Sequence, residues 1–451
     1  FRYFAKAENK NRKITNSMDT KTAQDFGVNE IAQRIHGRLQ RYLEAQYHIK
    51  DSSLIEERKL LLEEAGTISQ RPYVEVTPTY ATGKDFAQLD IPKTIADFLE
   101  DLSKFSPPVG VFSPYKHQSD ALENFFSKEN EKDLIVATGT GSGKTETFLY
   151  TILGLLALEG EERPRSFAKN GVRALLLYPM NALVSDQTSR LRRLLGDQDV
   201  AALFRERWGK HPTFGMYTSR TPYPGLRTND KDAKNLAPLL EYYVNLELST
   251  NSEKKKLVEE LKKHGRFPAK NVQAFFNEQA AKQKEYRSGK KVGENYTSHN
   301  WDKRFHTNAE DRELLTRHEI QQKAPDLLVT NYSMLEYMML RPIEASIFDQ
   351  TRQWLQEDER NQFLLILDEA HMYRGVGGAE VGFLIRRLMS RLGITRDRLR
   401  CILTSASLGD SPEAQLKGIE FADALTSKAP KRKFAVIGVE GGKEQKATLR
   451  V

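Results

Sequence analysis

Leu134 to Thr145 read LIVATGTGSGKT, and the fold follows from how this stretch is read. Leu134 to Ala137 is a short apolar run of strand type, the glycine-rich turn comes next, and Lys144 to Leu158 has the pattern of a helix that Gly160 would end. Gly139, Gly141 and Gly143 alternate with Thr140 and Ser142, so the turn can aim its amides inward without Cβ clashes. The helix start behind it favours negative charge. In that setting Lys144 reaches the outer phosphates of a nucleoside triphosphate, and the Thr145 hydroxyl ligates its Mg²⁺. A glycine turn that merely precedes Lys-Thr is the bland alternative, and the strand-loop-helix context speaks against it. The strict form of the pattern has glycine at position 138, where this chain has Thr138.

Far downstream, Leu364 to His371 read LLILDEAH, an apolar strand that ends in two acids. Asp368 is placed to hold the Mg²⁺ shell, and Glu369 to orient or deprotonate the water that attacks the γ-phosphorus. Together the two stretches predict an ATP-hydrolysing module with ATP and Mg²⁺ as cofactors.

Between and beyond them, strand patterns at Val172 to Tyr178, Thr213 to Thr218, Leu327 to Thr330, Phe363 to Leu367 and Arg400 to Thr404 alternate with helical ones at Leu183 to Leu195 and Ala379 to Leu392. That alternation predicts an α/β fold, a parallel sheet covered by helices on both faces, with ligands at the carboxyl ends of its strands. Residues 1–107 read as an N-terminal accessory region, mostly helical, with Ile31, Ile35, Leu39 and Leu43 at helical spacing. The motor domain is expected over 108–430, interrupted by a polar, helix-leaning insertion at 225–322, and 431–451 reads as a linker. Arg386, Arg387 and Arg391 fall on the polar side of a helix whose apolar stripe is Val381, Leu384, Ile385, Leu388 and Leu392, so they are solvated or meet another domain.

The chain has 451 residues, 39% of them hydrophobic, which suffices for a sizeable core. No apolar run approaches the roughly 20 residues that span a bilayer, so no membrane partner is expected. The chain begins at Phe1 without a basic segment and apolar stretch after it, which suggests a trimmed chain lacking a secretory signal. Its single cysteine, Cys401, excludes intramolecular disulfides and fits a reducing, cytoplasmic setting. A net charge of +8 favours a polyanion only weakly. Lys254 to Lys256, Lys262, Lys263, Lys290 and Lys291 concentrate within the insertion, as a polyanion contact or as a solvated face.

Further blocks occur in a telling order. SPYKHQSDAL spans 113–122, LYPMNALVSDQ 177–187, FGMYTSRT 214–221, PDLLVTNYSML 325–335 and LTSASL 403–408. With the two nucleotide motifs, this series resembles the first RecA-like domain of superfamily 2 helicases with a DEAH-type motif II. Within them, YPMNALVSDQ and DEAHMYRGVGGAEVGFLIRRL are most similar to the MrfA-type DNA helicases and to the large helicases of bacterial anti-phage systems such as DISARM and Druantia. The threonine at 138 is usual in that superfamily. The resemblance implies that Gln118 reads the adenine base and that His371 joins the ATP site to motif III. It implies that Ser405 and Ser407 couple hydrolysis to strand contact, serine at 407 replacing the family's threonine. Pro179, Asn181, Thr218, Arg220, Thr330 and Asn331 would then grip a nucleic-acid backbone.

It implies 3′-to-5′ movement on single-stranded DNA in defence or repair, with a partner protein of that pathway. It also implies a second RecA-like domain of the same protein, to which 431–451 would lead and which supplies arginine fingers. The 451 residues alone are thus expected to bind ATP weakly and hydrolyse it poorly. A nucleotide-gated scaffold, a double-stranded DNA translocase serving a nuclease or methyltransferase, and an RNA substrate stay open as readings.

Overall fold

The computed structural model describes residues 27–64, 66–69, 80–105, 113–127, 130–139, 141–222, 237–272, 284–286, 296–298, 307–406 and 411–438. They belong to two compact units that divide between Pro78 and Thr79. The first holds helices α1 (Val28–Gln46) and α2 (Ser52–Glu63). The Asp51 carboxylate accepts from the Ser53 and Leu54 N–H groups and so starts α2.

The second unit opens with α3 (Lys93–Ser103), α4 (Lys116–Phe126), β1 (Asp133–Ala137), α5 (Lys144–Glu162), α6 (Pro164–Phe167), β2 (Ala174–Tyr178), α7 (Asn181–Leu194), α8 (Gln198–Trp208) and β3 (Phe214–Tyr217). Next come α9 (Ala237–Glu247), α10 (Ser252–Lys263), the antiparallel pair β4 (Lys284–Tyr286) and β5 (Tyr296–Ser298), β6 (Glu313–Leu314), α11 (Arg317–Gln322), β7 (Leu327–Asn331) and α12 (Tyr332–Leu340). It closes with α13 (Ala345–Glu357), β8 (Phe363–Leu367), α14 (Gly375–Leu392), β9 (Leu399–Ser405), α15 (Pro412–Thr426) and β10 (Phe434–Gly438).

Eight strands form one sheet in the order β10-β1-β9-β8-β2-β7-β3-β6, each pair parallel. This is the RecA-like P-loop architecture expected from the motifs. Because side chains alternate along a strand, neighbours in one run feed opposite cores. Leu364 and Ile366 pack with Phe148, Leu153 and Val184 on one face, whereas Leu365 and Leu367 pack with Leu384, Ile385 and Leu388 on the other. Strands buried on both sides need uninterrupted apolar runs, which is what made them readable. No helix among the described residues is long and apolar enough to cross a membrane.

Several boundaries differ from the sequence reading. The first division lies at Pro78/Thr79 and not at residue 107, because Ile95, Phe98, Leu99 and Leu102 of α3 are buried in the same core as Phe148. The last residues of the expected 225–322 insertion belong to the sheet, where β6 pairs with β3 and Ile320 of α11 packs against Gly215. The region 431–451 is not simply a linker, since β10 lies along β1 and buries Phe434 and Ile437; residues 439–451 are outside the described ones. Helix α5 runs through Gly160 to Glu162, and a Cβ at 160 would lie 2.6 Å from Trp208 Cγ. That glycine serves a close approach, not a stop. Arg386, Arg387 and Arg391 pair within their own unit, with the Gly382 and Ala424 carbonyls, with Glu336 and with Asp349.

At the amino end of β1, Asp133 is 1% exposed and gathers three arginines. Its carboxylate accepts from Arg396 Nη2 at 2.8 Å, Arg400 Nε at 3.3 Å, Arg432 Nη1 at 3.4 Å and the Cys401 N–H at 3.1 Å. Residues from β1, β9 and the segments leading into β9 and β10 are thereby tied below the sheet, opposite the end where the motifs lie.

Candidate functional site

The strand order puts β9 between β1 and β8, so three strand ends stand side by side. Ala137 pairs with Ser405, and Leu403 with Leu367. The loop after β1, the acids after β8 and the LTSAS stretch therefore open at one place, about 5 Å apart strand to strand.

The phosphate loop has the backbone its glycines permit. Gly141 and Gly143 take φ of +78° and +84°, a region that side chains with Cβ rarely enter. Thr138 Oγ1 and Ser142 Oγ are 2.6 Å apart and brace the turn, which gives the threonine at 138 a local role. Gln118 is buried; its Oε1 accepts from the Tyr115 N–H at 2.9 Å and its Nε2 donates to the Gly143 carbonyl at 3.1 Å. In this conformation the glutamine that the resemblance assigns to the base holds the loop against the start of α4. Thr140 lies outside the described residues.

Lys144 Nζ is 3.8 Å from Glu369 Oε1 and donates to the Ser405 carbonyl at 3.4 Å, so the lysine joins all three strand ends. Glu369 is one of two non-glycine residues with positive φ among the described residues, at 50°. Left-handed backbone at a non-glycine residue costs on the order of 1–3 kcal/mol, and such strain collects at functional sites. His371 Nδ1 lies 3.3 Å from Glu369 Oε2, yet both atoms are buried without an aligned hydrogen bond among the described residues, so the two side chains are neighbours and not a bonded pair. Ser407 lies outside the described residues.

Asp368 is 9% exposed, and its Oδ1 accepts from the Thr404 hydroxyl. The same hydroxyl accepts the Glu369 N–H at 3.3 Å, so Thr404 aligns both acids. Burial, and after it the neighbouring Glu369 carboxylate, push the Asp368 carboxyl above its usual range against the opposing Thr404 bond. A divalent cation relieves that cost, and a hydroxyl at Thr145 with a carboxylate at Asp368 suits Mg²⁺, which prefers oxygen donors and keeps waters and phosphates in its shell. The donor set fits the ion.

A folded pKa raised above the unfolded one means that this group favours the fold below the unfolded pKa and loses that contribution as pH rises through the folded value. The ionised form of Asp368 thus burdens the metal-free fold. Asp368→Asn is expected to raise the melting temperature in EDTA by roughly 2 °C while removing the Mg²⁺ dependence of nucleotide binding. Differential scanning fluorimetry with and without Mg²⁺ checks both; a lower melting temperature would count against the electrostatic account.

The expected strand-gripping residues converge at the ends of β2, β7 and β3, which are neighbours. Asn331 donates to Asn181 Oδ1, Asn181 Nδ2 donates to Ser219 Oγ at 3.4 Å, and Arg220 and Ser219 are exposed beside them. Pro179 and Asn181 are half-buried. Thr218 and Thr330 are turned inward instead: the Thr330 hydroxyl donates to the Tyr217 carbonyl at 2.6 Å, and the Thr218 hydroxyl accepts the Arg220 N–H at 3.1 Å. They shape the backbone that others present. Tyr217, expected from the sequence to read backbone with its neighbours, is buried and donates its hydroxyl to Glu344 at 2.9 Å, and Arg317, a support missed in sequence, donates to the Thr218 carbonyl at 2.8 Å. Of the insertion's lysines, Lys262 pairs with Glu247 at 3.1 Å, while Lys290 and Lys291 lie outside the described residues.

A P-loop facing an acidic strand end across an intervening strand defines a RecA-like P-loop domain with a candidate nucleotide site. The DEAD/DEAH box helicase family model matches residues 115–211. The matched stretch is thus a DEAD/DEAH box helicase domain. It is 49% identical over 434 residues to Druantia protein DruE of Escherichia coli, an alignment covering 96% of this chain and 23% of that protein. An uncharacterized ATP-dependent helicase of Methanocaldococcus jannaschii is 32% identical over 100 residues, 22% of this chain and 13% of that one. The chain thus spans about a quarter of the length of the first relative. Among solved structures, the DUF1998 helicase MrfA bound to DNA aligns at 17% identity and a TM-score of 0.42, over 87% of this chain and 35% of that chain.

Proposed function

We propose that the chain is the N-terminal motor half of an ATP-dependent DNA helicase or translocase. It moves 3′ to 5′ on single-stranded DNA and serves bacterial anti-phage defence or DNA repair. The observation that carries this reading is a shared edge: the Lys144–Glu369 pair and the Asn181–Asn331–Ser219 shelf open at the carboxyl ends of one sheet. Hydrolysis at the first can thereby act on a strand at the second. A shelf of short polar side chains and one exposed arginine suits a backbone read without regard to base, as a stepping motor needs. The 49% identity with a Druantia protein supports the defence setting.

Binding of a fluorescent oligodeoxythymidine, measured by anisotropy across a salt series, tests the strand contact. Arg220→Ala is expected to weaken binding several-fold and to flatten the slope of log K against log salt by about 0.7, the share of one phosphate contact on single strands. An unchanged slope removes Arg220 from the path, and tighter binding to the matching RNA would move the substrate class. Direction is read in the full-length protein from forks with only a 3′ or only a 5′ tail. Turnover by the 451 residues alone is expected to be slow, since an arginine from a second RecA-like domain is worth about 10³–10⁵ in rate.

A further inference from the structure

We propose that Gln187 is a positioning residue for the metal ligand Thr145, accepting its hydroxyl proton so that the oxygen lone pairs face the Mg²⁺ of a bound nucleotide. The inference rests on the nucleotide site described above and assigns a role that none of its motifs names.

Gln187 sits on α7, 6% exposed, with its Nε2 3.5 Å from Thr145 Oγ1. Its Oε1 is buried and has no hydrogen-bond partner among the described residues. The two ends of an amide exchange by a half-turn about the last side-chain torsion. A threonine hydroxyl has one proton and two lone pairs, and ligation of a cation uses a lone pair, so the proton must point elsewhere. With Nε2 toward Thr145, an N–H competes for the oxygen that the ion needs. With Oε1 there, the amide takes the proton, leaves the oxygen open to the metal, and satisfies the buried acceptor at once.

Rigid elements make the contact. One turn on from Gln187, Arg190 Nη1 pairs with Glu146 Oε1 at 3.1 Å. Gln187 and Arg190 share a face of α7, and their partners Thr145 and Glu146 are consecutive in the first turn of α5. Two adjacent side-chain pairs therefore register one helix on the other, and a wandering loop is not involved. Outer partners of this kind govern metal affinity because they fix the direction of the ligating atom.

The test titrates the 451-residue chain into N-methylanthraniloyl-ADP, once with EDTA and once with Mg²⁺, for the unaltered protein, Gln187→Leu and Gln187→Glu. Gln187→Leu is expected to lose about 10–100-fold of the Mg²⁺-dependent gain in affinity, with its affinity in EDTA unchanged. Gln187→Glu retains an acceptor oxygen and is expected to retain the gain. If Gln187→Leu melts early, Gln187→Met keeps the volume without the acceptor and replaces it. An undiminished Mg²⁺ gain in Gln187→Leu overturns the proposal, as does an equal loss in EDTA, which would mark a packing role. Failure of the unaltered chain to bind the probe under either condition would instead remove the nucleotide site itself.

Discussion

Glu369→Gln is expected to cut ATP turnover by about 10²–10⁴-fold, the span general-base catalysis usually supplies, while nucleotide stays bound. The substitution keeps size and hydrogen-bonding ability and removes the base. The phosphate loop does not depend on it: Gly141 and Gly143 keep their positive φ, and Ser142 remains paired with Thr138. Lys144, 3.8 Å from the carboxylate in this conformation, is released from a counter-ion and is free to engage phosphate. The altered chain should bind ATP at least as tightly as the original and hold it longer. Phosphate release in the full-length protein and N-methylanthraniloyl-ATP binding together check the pair of effects. Turnover at the original rate would leave the DEAH acid without its assigned role. The same variant separates motor from scaffold, since a nucleotide-gated scaffold would still recruit its partner when ATP is trapped, whereas translocation would stop. Triplex displacement without fork unwinding would select a double-stranded DNA translocase.

The largest stability effect is expected far from that chemistry. Asp133→Asn should destabilise the second unit by about 3–5 kcal/mol, the usual cost of stripping a buried charge of its partner. Arg400 shows why. Burial pulls its guanidinium down to about 10, and the Asp133 carboxylate is the principal influence that holds it charged. Asparagine keeps one acceptor but not the charge that three arginines share, and Glu131, the other acid beside Arg400 and Arg432, is about half exposed at 47%. Urea unfolding followed by circular dichroism should show the midpoint fall with little change in slope. A shift below about 1 kcal/mol would mean that water reaches the cluster. The exposed pair Arg34–Glu30 on α1 is the contrast, and its loss should be hard to detect.

What the sequence disclosed and what it hid divide along physical lines. Phe363 to Leu367 was legible to the residue because a strand buried on both faces must be an unbroken apolar run. The phosphate loop was legible because glycine spacing and Lys-Thr are local. β6 and β10 escaped placement in the sheet, since an edge strand's neighbour is chosen by non-local pairing, and FAVIG carries no mark of its partner DLIVA. Gly160 misled because helix ends and close approaches both select glycine, and only the position of Trp208 tells them apart. Thr404 and Gln187 lay inside quoted blocks, but their individual roles were hidden, since their hydrogen bonds join elements remote in sequence. Thr218 and Thr330 sat in the expected place, but the sequence could not say that their side chains face inward.

The pairing of β10 with β1 has a mechanical side. Tension on whatever follows Gly438 runs along β10, parallel to the strand that carries the phosphate loop, and the register from Asp133–Phe434 to Ala137–Gly438 is loaded together in shear. Bonds stretched side by side yield at far higher force than bonds opened singly from one end, so a pull arriving there is delivered to the base of the nucleotide loop before the sheet comes apart.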